Sequence, residues 1–135
     1  MNADEDRLLA AAAEARAAAI CPHSGFAVGA ALLAGDGTVW TGANVENASY
    51  TLGLCAERVA LFYALTHGAR DFKAVAVVTG ATTPSSPCGA CRQILFEFAG
   101  DASLVSATTG GETLRTTIRE LLPYGFDASS LVRPE

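Results

Sequence analysis

A Cys-Ala-Glu triplet at Cys55, Ala56 and Glu57 and a Pro-Cys-Gly-Ala-Cys run from Pro87 to Cys91 put three thiols and a carboxylate into two short motifs. Three thiolates are a zinc donor set. A catalytic zinc takes three protein ligands and keeps a fourth tetrahedral position for water, whereas a structural zinc closes all four. The chemistry on offer is water activation, since bound zinc lowers the pKa of water from about 15.7 to about 7. Glu57 lies two residues from Cys55, a spacing that does not share a helix face, so it reads as a proton carrier and not as a fourth ligand. Cys21, in Ile20-Cys21-Pro22, has no ligand-like spacing and reads as a small buried hydrophobe.

Both motifs are expected at helix N-termini, Cys55 opening one helix and Cys88 and Cys91 opening another, because unpaired N–H groups and the positive end of the dipole favour thiolate over thiol. Three thiolates against one Zn²⁺ leave a net negative charge that weakens the metal as a Lewis acid. Arg58 and Arg92, each directly after a motif residue, could donate to the sulfurs. Each could equally be a solvated helix arginine. A structural zinc would need a fourth ligand, for which the chain offers only His23, His67 and Cys21. Asp4, Glu5 and Asp6 stand where a signal peptide carries positive charge, so an intracellular, cytoplasmic setting is expected, where thiols serve metal or catalysis more often than disulfides.

Composition bounds the function. The 135 residues are 50% hydrophobic and 17% charged, which suits one domain spanning 1–135. The low charge and a mean hydropathy of +0.29 suggest apolar surface buried between subunits. No apolar run is long enough for a membrane span. A net charge of −5, with one lysine, Lys73, and scattered arginines, offers no phosphate-gripping stripe. A free nucleoside or base is favoured over a polynucleotide.

The elements that must position the motifs follow from pattern. Asp4 to Ile20 reads as an Ala-rich helix with Leu8, Leu9, Ala12 and Ala19 inward, ended by Pro22. Phe26 to Leu33 and Val39 to Gly42 read as a hairpin turned by Gly35-Asp36-Gly37, and Asn44 to Gly53 as a loop. Cys55 to His67 reads as a helix capped by Gly68, with His67 favoured at the negative end of the dipole. Ala74 to Val78 is an apolar, central strand leading into a small-residue loop, Gly80 to Pro87. A helix from Cys91 follows, then strands at Ser103 to Ala107 and Thr113 to Thr117, and a last helical turn, Arg119 to Leu122, stopped by Pro123. The expected fold is α/β: a three-layer α/β/α sandwich with a mixed five-stranded sheet and both motifs at strand-to-helix junctions, where ligands gather.

Four segments, in order, carry a resemblance: Asn44-Val45-Glu46-Asn47-Ala48-Ser49-Tyr50, Cys55-Ala56-Glu57-Arg58, Pro87-Cys88-Gly89-Ala90-Cys91-Arg92-Gln93 and Leu121-Leu122-Pro123-Tyr124-Gly125-Phe126. Together they resemble the short, homotetrameric cytidine deaminases of pyrimidine salvage, over a stretch from about Pro22 to Phe126. The resemblance implies one zinc per subunit on Cys55, Cys88 and Cys91, with Glu57 as proton shuttle. It implies that Asn44 and Glu46 hold a ribose hydroxyl, that Phe26 stacks near the base, and that the Ala56 backbone reads the pyrimidine edge. Ala48, Tyr50 and Phe126 would approach a neighbouring subunit's substrate. The implied reaction is attack of water on cytosine C4, with Glu57 taking the water proton, passing it to N3 and protonating the departing amine, giving uridine and ammonia.

Each residue also has a simpler reading: Asn44 and Glu46 as turn residues, Phe26 as core, Tyr50 and Phe126 as aromatics filling their own subunit's grooves. His23 stands where the family usually has tyrosine, and Thr51 where it commonly has glycine. Blasticidin-S deaminases share the Cys-Ala-Glu and Pro-Cys-Gly-x-Cys-Arg-Gln segments but not the Asn44 to Tyr50 loop. A zinc-stabilised binding protein without turnover would have no need of Glu57.

Overall fold

A computed structural model describes residues 3–131. Its centre is a five-stranded sheet of order β2-β1-β3-β4-β5, formed by β1 (Val28–Leu33), β2 (Val39–Ala43), β3 (Ala74–Thr79), β4 (Ser103–Thr108) and β5 (Thr113–Thr117). β1 runs antiparallel to both β2 and β3, β3 and β4 are parallel, and β5 is antiparallel to β4. The sheet is therefore mixed, as expected, with β3 in the middle.

Period-two alternation divides the strand residues between two cores. Ala30 and Leu32 of β1 and Val75 and Val77 of β3 face the layer made by α2 (Ala56–Thr66), α3 (Gly89–Ala99) and the short α4 (Ile118–Leu121), where Leu61, Leu95, Phe96 and Ile118 complete the core. Ala31, Leu33, Ala76 and Val78 point the other way, onto Leu8 and Ala12 of α1 (Ala3–Ala15). The layers are α/β/α. Among the described residues no helix is long and apolar enough to cross a membrane.

The first helix is shorter than its alanine content suggests. It ends at Ala15, passes through a 3₁₀ turn at Arg16–Ala18, and Ala19 is already extended. Tertiary hydrogen bonding overrides propensity here: Ile20 N–H donates to Asn44 O at 2.9 Å and Ile20 O accepts from Glu46 N–H at 2.7 Å. Cys21, held before Pro22, is also biased away from helix, and it is half-buried where a fully buried residue was expected. The segment from Asn44 to Gly53 likewise has more order than a plain loop, with Val45 bridged to both Ile20 and Leu54.

The ends of α2 follow local chemistry. Gly68 takes φ +88°, Ala69 N–H returns to Ala64 O at 3.0 Å and Gly68 N–H to Leu65 O at 3.1 Å, the two bonds of a Schellman stop. His67 Nδ1 lies 2.7 Å from Tyr63 O, at the carbonyl end of the helix.

Two glycines set the distance between layers. A Cβ on Gly29 would stand 1.9 Å from Ala12 O of α1, and one on Gly42 would stand 2.5 Å from Ala60 N and 3.0 Å from Ala56 O of α2. Backbone is pressed on backbone at both places. Gly42→Ala is expected to force α2 off the sheet, lowering unfolding free energy by about 2 kcal/mol in urea denaturation, the cost of overpacking a core. An unchanged midpoint would show that α2 has room to yield.

Candidate metal centre and cavity

Cys55 is the N-cap of α2, with φ −72° and ψ 154°, and Cys88 is the N-cap of α3, with φ −65° and ψ 167°. Neither side chain caps its own helix, which leaves both sulfurs free to turn to a third group. Cys91 follows in the first turn of α3 and is fully buried. The two helix starts meet: the three sulfurs lie within 4.8 Å of one another, and Cys55 Sγ is 3.8 Å from Cys88 Sγ. That separation is far too long for a disulfide. It matches the edge of about 3.8 Å that Zn–S bonds of about 2.3 Å give in a tetrahedron. No His, Asp or Glu joins the group among the described residues, so the donor set is three soft thiolates, which fits zinc and leaves a ligand position over. The first motif does not follow a regular strand; the long segment after β2 brings Leu54, bridged to Val45, up to Cys55.

The electrostatics of the trio are uneven. The Cys55 thiol is lowered to about 5, chiefly by the hydrogen bond from Cys91, with burial opposing and Arg58 and Cys88 assisting. Cys91 is pushed up because it carries that hydrogen bond, and burial pushes it further. Arg58 Nη2 donates to Cys55 Sγ at 3.7 Å, the contact the sequence suggested, and its Nε is buried with no hydrogen-bond partner. Arg92 does something else. Its guanidinium donates to Pro87 O at 2.8 Å, Leu121 O at 3.0 Å and Ser86 Oγ at 2.7 Å, tying the second motif's loop to the end of α4.

Glu57 is 5% exposed, in the first turn of α2. Burial pushes its carboxyl up to about 7, and the charge of Cys55 adds to the rise. A carboxyl of that pKa both accepts and releases a proton near neutrality.

Cys55 also borders a cavity of about 520 Å³, whose walls include Arg58, His23, Ser24, Asn44, Glu46 and Tyr50; Cys88, Cys91 and Glu57 are not among them. Its size suits a small heterocycle carrying a sugar. Asn44 is buried and its amide is spent on backbone: Nδ2 donates to Phe26 O and Oδ1 accepts from Val28 N–H, both at 2.8 Å. Glu46 accepts from the His23 and Ser24 amides at 3.0 Å each and from the Ser24 hydroxyl, and these bonds hold its carboxyl below the usual range, the hydroxyl most of all.

Other expected residues fall outside these walls. Phe26 is 41% exposed and meets the cavity walls through its backbone, its carbonyl accepting from Asn44 and its N–H donating to Ser24; Ala56 is buried, and Ala48 is exposed. Phe126 is exposed, with its carbonyl held by Gln93 Nε2 at 2.6 Å. His23 packs edge-on against Tyr50, ring centroids 5.3 Å apart, at the cavity rim, and Thr51 lies in the 3₁₀ turn Tyr50–Leu52. Ser24 and Gln93 were within segments the sequence singled out. Nothing in their residue types marked them as holding Glu46 and Phe126.

Fold and site together define a class: α/β proteins in which two helix N-termini bring three thiols around one point, with a buried carboxyl two residues along from one of them. The family model for the "Cytidine and deoxycytidylate deaminase zinc-binding region" matches residues 1–108. A cytidine deaminase of Sporosarcina psychrophila is 46% identical over 129 residues, covering 95% of this chain and 95% of that protein. One from Halalkalibacterium halodurans is also 46% identical over 129 residues, covering 95% and 98%. Among solved structures, the cytidine deaminase from Burkholderia pseudomallei superposes with a TM-score of 0.87 at 46% identity, covering 93% of this chain and all of that one, and the enzyme from Mycobacterium tuberculosis with 0.80 at 39%, covering 93% and 98%. The chain belongs to the cytidine deaminase family.

Removing one sulfur leaves two, too few to hold a metal tightly. Cys88→Ala, at an exposed position that costs little in packing, is expected to take up far less zinc than the parent by atomic absorption while the fold survives by circular dichroism. Full zinc content in that variant would move the metal elsewhere.

Proposed function

We propose that this chain hydrolyses the 4-amino group of cytidine and 2′-deoxycytidine, releasing ammonia and uridine or 2′-deoxyuridine, as a single-domain enzyme of pyrimidine salvage in the cytoplasm. The observation that carries the reading is the buried Glu57 carboxyl, pushed up to about 7, two residues from Cys55, a sulfur that belongs both to the three-thiol cluster and to the wall of a nucleoside-sized cavity. The 46% identity to cytidine deaminases over most of the chain supports the choice of substrate.

Cys55, Cys88 and Cys91 would hold one zinc per chain, and zinc supplies Lewis-acid activation of water near neutral pH. Arg58, bonded to Cys55 Sγ, draws charge from that sulfur. The Glu57 carboxylate takes a proton from the attacking water and delivers it to pyrimidine N3. The same carboxyl then carries a proton from the new C4 hydroxyl to the amino nitrogen, so that ammonia leaves as the carbonyl forms. Burial keeps bulk water from competing for these protons.

Glu46 and Asn44 would hold a sugar hydroxyl, since both line the cavity and each keeps unused hydrogen-bonding capacity. The Ala56 backbone would read the pyrimidine edge at the start of α2, and Phe26 would stack near the base. The protein would act as a homotetramer in which Ala48, Tyr50 and Phe126 approach a neighbour's substrate. The 78% exposure of Tyr50, which lines the cavity, and the 55% exposure of Phe126, away from it, support that role, because large aromatics left in water are what an interface covers.

Zinc-replete protein incubated with cytidine should show conversion to uridine by ultraviolet absorbance. Glu57→Ala should keep its zinc and lose turnover by about a thousandfold. A folded, zinc-loaded parent that leaves cytidine unchanged would overturn the proposal, and zinc loss in Glu57→Ala would make Glu57 part of the metal scaffold.

A further inference from the structure

We propose that Ser24 is a positioning residue for nucleoside binding: its hydroxyl joins the Glu46 carboxylate to the Phe26 backbone, so that one hydrogen-bonded unit sets the sugar end of the cavity. The inference deepens the cytidine reading and rests on it. Ser24 sits in a tight turn closed by Gly25 N–H to Cys21 O at 2.9 Å, with Gly25 at φ +69°. Its Oγ donates to Glu46 Oε2 and accepts from Phe26 N–H at 3.0 Å, while its own N–H donates to Glu46 Oε1 at 3.0 Å. Ser24 thus meets both carboxylate oxygens.

A carboxylate offers about four acceptor sites. Three are taken here, by the His23 and Ser24 amides and the Ser24 hydroxyl, which fixes the plane of the group and leaves one direction for an incoming hydroxyl. Asn44 completes the unit from the other side, since its Nδ2 holds Phe26 O and its Oδ1 holds Val28 N–H, leaving one N–H of the amide over. Both peptide groups of Phe26 are therefore spoken for, one by Ser24 and one by Asn44. Ser24 itself is exposed and makes no bond to the cysteine sulfurs or Glu57, so its loss should loosen the sugar grip without touching the proton chemistry. Loss of ground-state binding appears in KM and not in kcat.

The test uses the zinc-loaded full chain as parent, Ser24→Ala and Ser24→Thr, with steady-state kinetics on cytidine and on 2′,3′-dideoxycytidine, which offers Glu46 no 2′ or 3′ hydroxyl. Ser24→Ala is expected to raise KM for cytidine about tenfold with kcat within about twofold, to move KM for the dideoxynucleoside by less than about twofold, and to be rescued by Ser24→Thr, which keeps the hydroxyl. Equal losses on both substrates, or a fall in kcat at constant KM, would reduce Ser24 to a structural turn residue and overturn the proposal. NMR titration of Glu46 gives a readout free of turnover: its carboxyl should move up toward the ordinary range in Ser24→Ala and return in Ser24→Thr. An unmoved titration overturns the tie even if the parent proves inactive on cytidine, whereas parent inactivity alone strikes at the activity and not at the tie.

Discussion

Three sulfur atoms within 4.8 Å of one another can carry negative charge only where something answers it, and the fold around them is arranged to do so. Cys55 and Cys88 stand at the first positions of α2 and α3, where the partial positive charge of each helix is concentrated. Arg58, one turn into α2, adds a full charge against Cys55. The Cys91 thiol keeps its proton and donates a hydrogen bond to the Cys55 sulfur, so that one thiolate forms easily and the next does not. A cluster so poised is a receptor for a doubly charged soft cation, which answers all three sulfurs at once.

That meeting of helix ends depends on the sheet. α2 leaves β2 and enters β3, α3 links parallel β3 and β4, and both lie on the face lined by Ala30, Leu32, Val75 and Val77. Because Gly42 lets α2 lie with its backbone against β2, the start of α2 is held at a fixed depth over the sheet. Arg92 does the equivalent for α3, fastening the Ser86-Pro87 approach to Leu121 across the chain. The geometry of the sulfurs is thus inherited from packing that lies well outside them.

Much of this was legible in the residues. Period-two and period-3.6 patterns gave the strands and helices within a few residues, and a glycine after His67 marked the end of α2. Cysteine spacing pointed to the trio before any fold was known. What escaped notice was long-range hydrogen bonding that composition does not encode. The Ala-rich run after Ala15 has every local reason to stay helical, yet Ile20 gains two backbone bonds from Asn44 and Glu46 and turns strand-like. Arg92, equivalent to Arg58 by position after a motif residue, reaches carbonyls and a hydroxyl instead of sulfur because α4 and the Ser86-Pro87 loop lie within its span. The pattern starts the first strand at Phe26, but the strand begins at Val28, because the Phe26 N–H and carbonyl are bonded to Ser24 and Asn44 side chains instead of to a neighbouring strand.

The same segment lies amid exposed apolar side chains. Ile20, Val45, Leu52, Leu54, Tyr50 and Phe26 are all exposed, and all lie in or beside the stretches 20–26 and 44–54 that form the cavity walls. A small domain gains nothing from keeping large apolar side chains in water beside a cavity. Those stretches turn Ser24, Asn44 and Glu46 to the cavity together with Val45, Tyr50 and Leu54, while Ile20, Phe26 and Leu52 lie exposed outside its walls. Ile20, Phe26, Leu52 and Tyr50 thus make an exposed apolar border next to the hydrogen-bonded unit of Ser24, Asn44 and Glu46, the kind of surface that contact with another molecule covers.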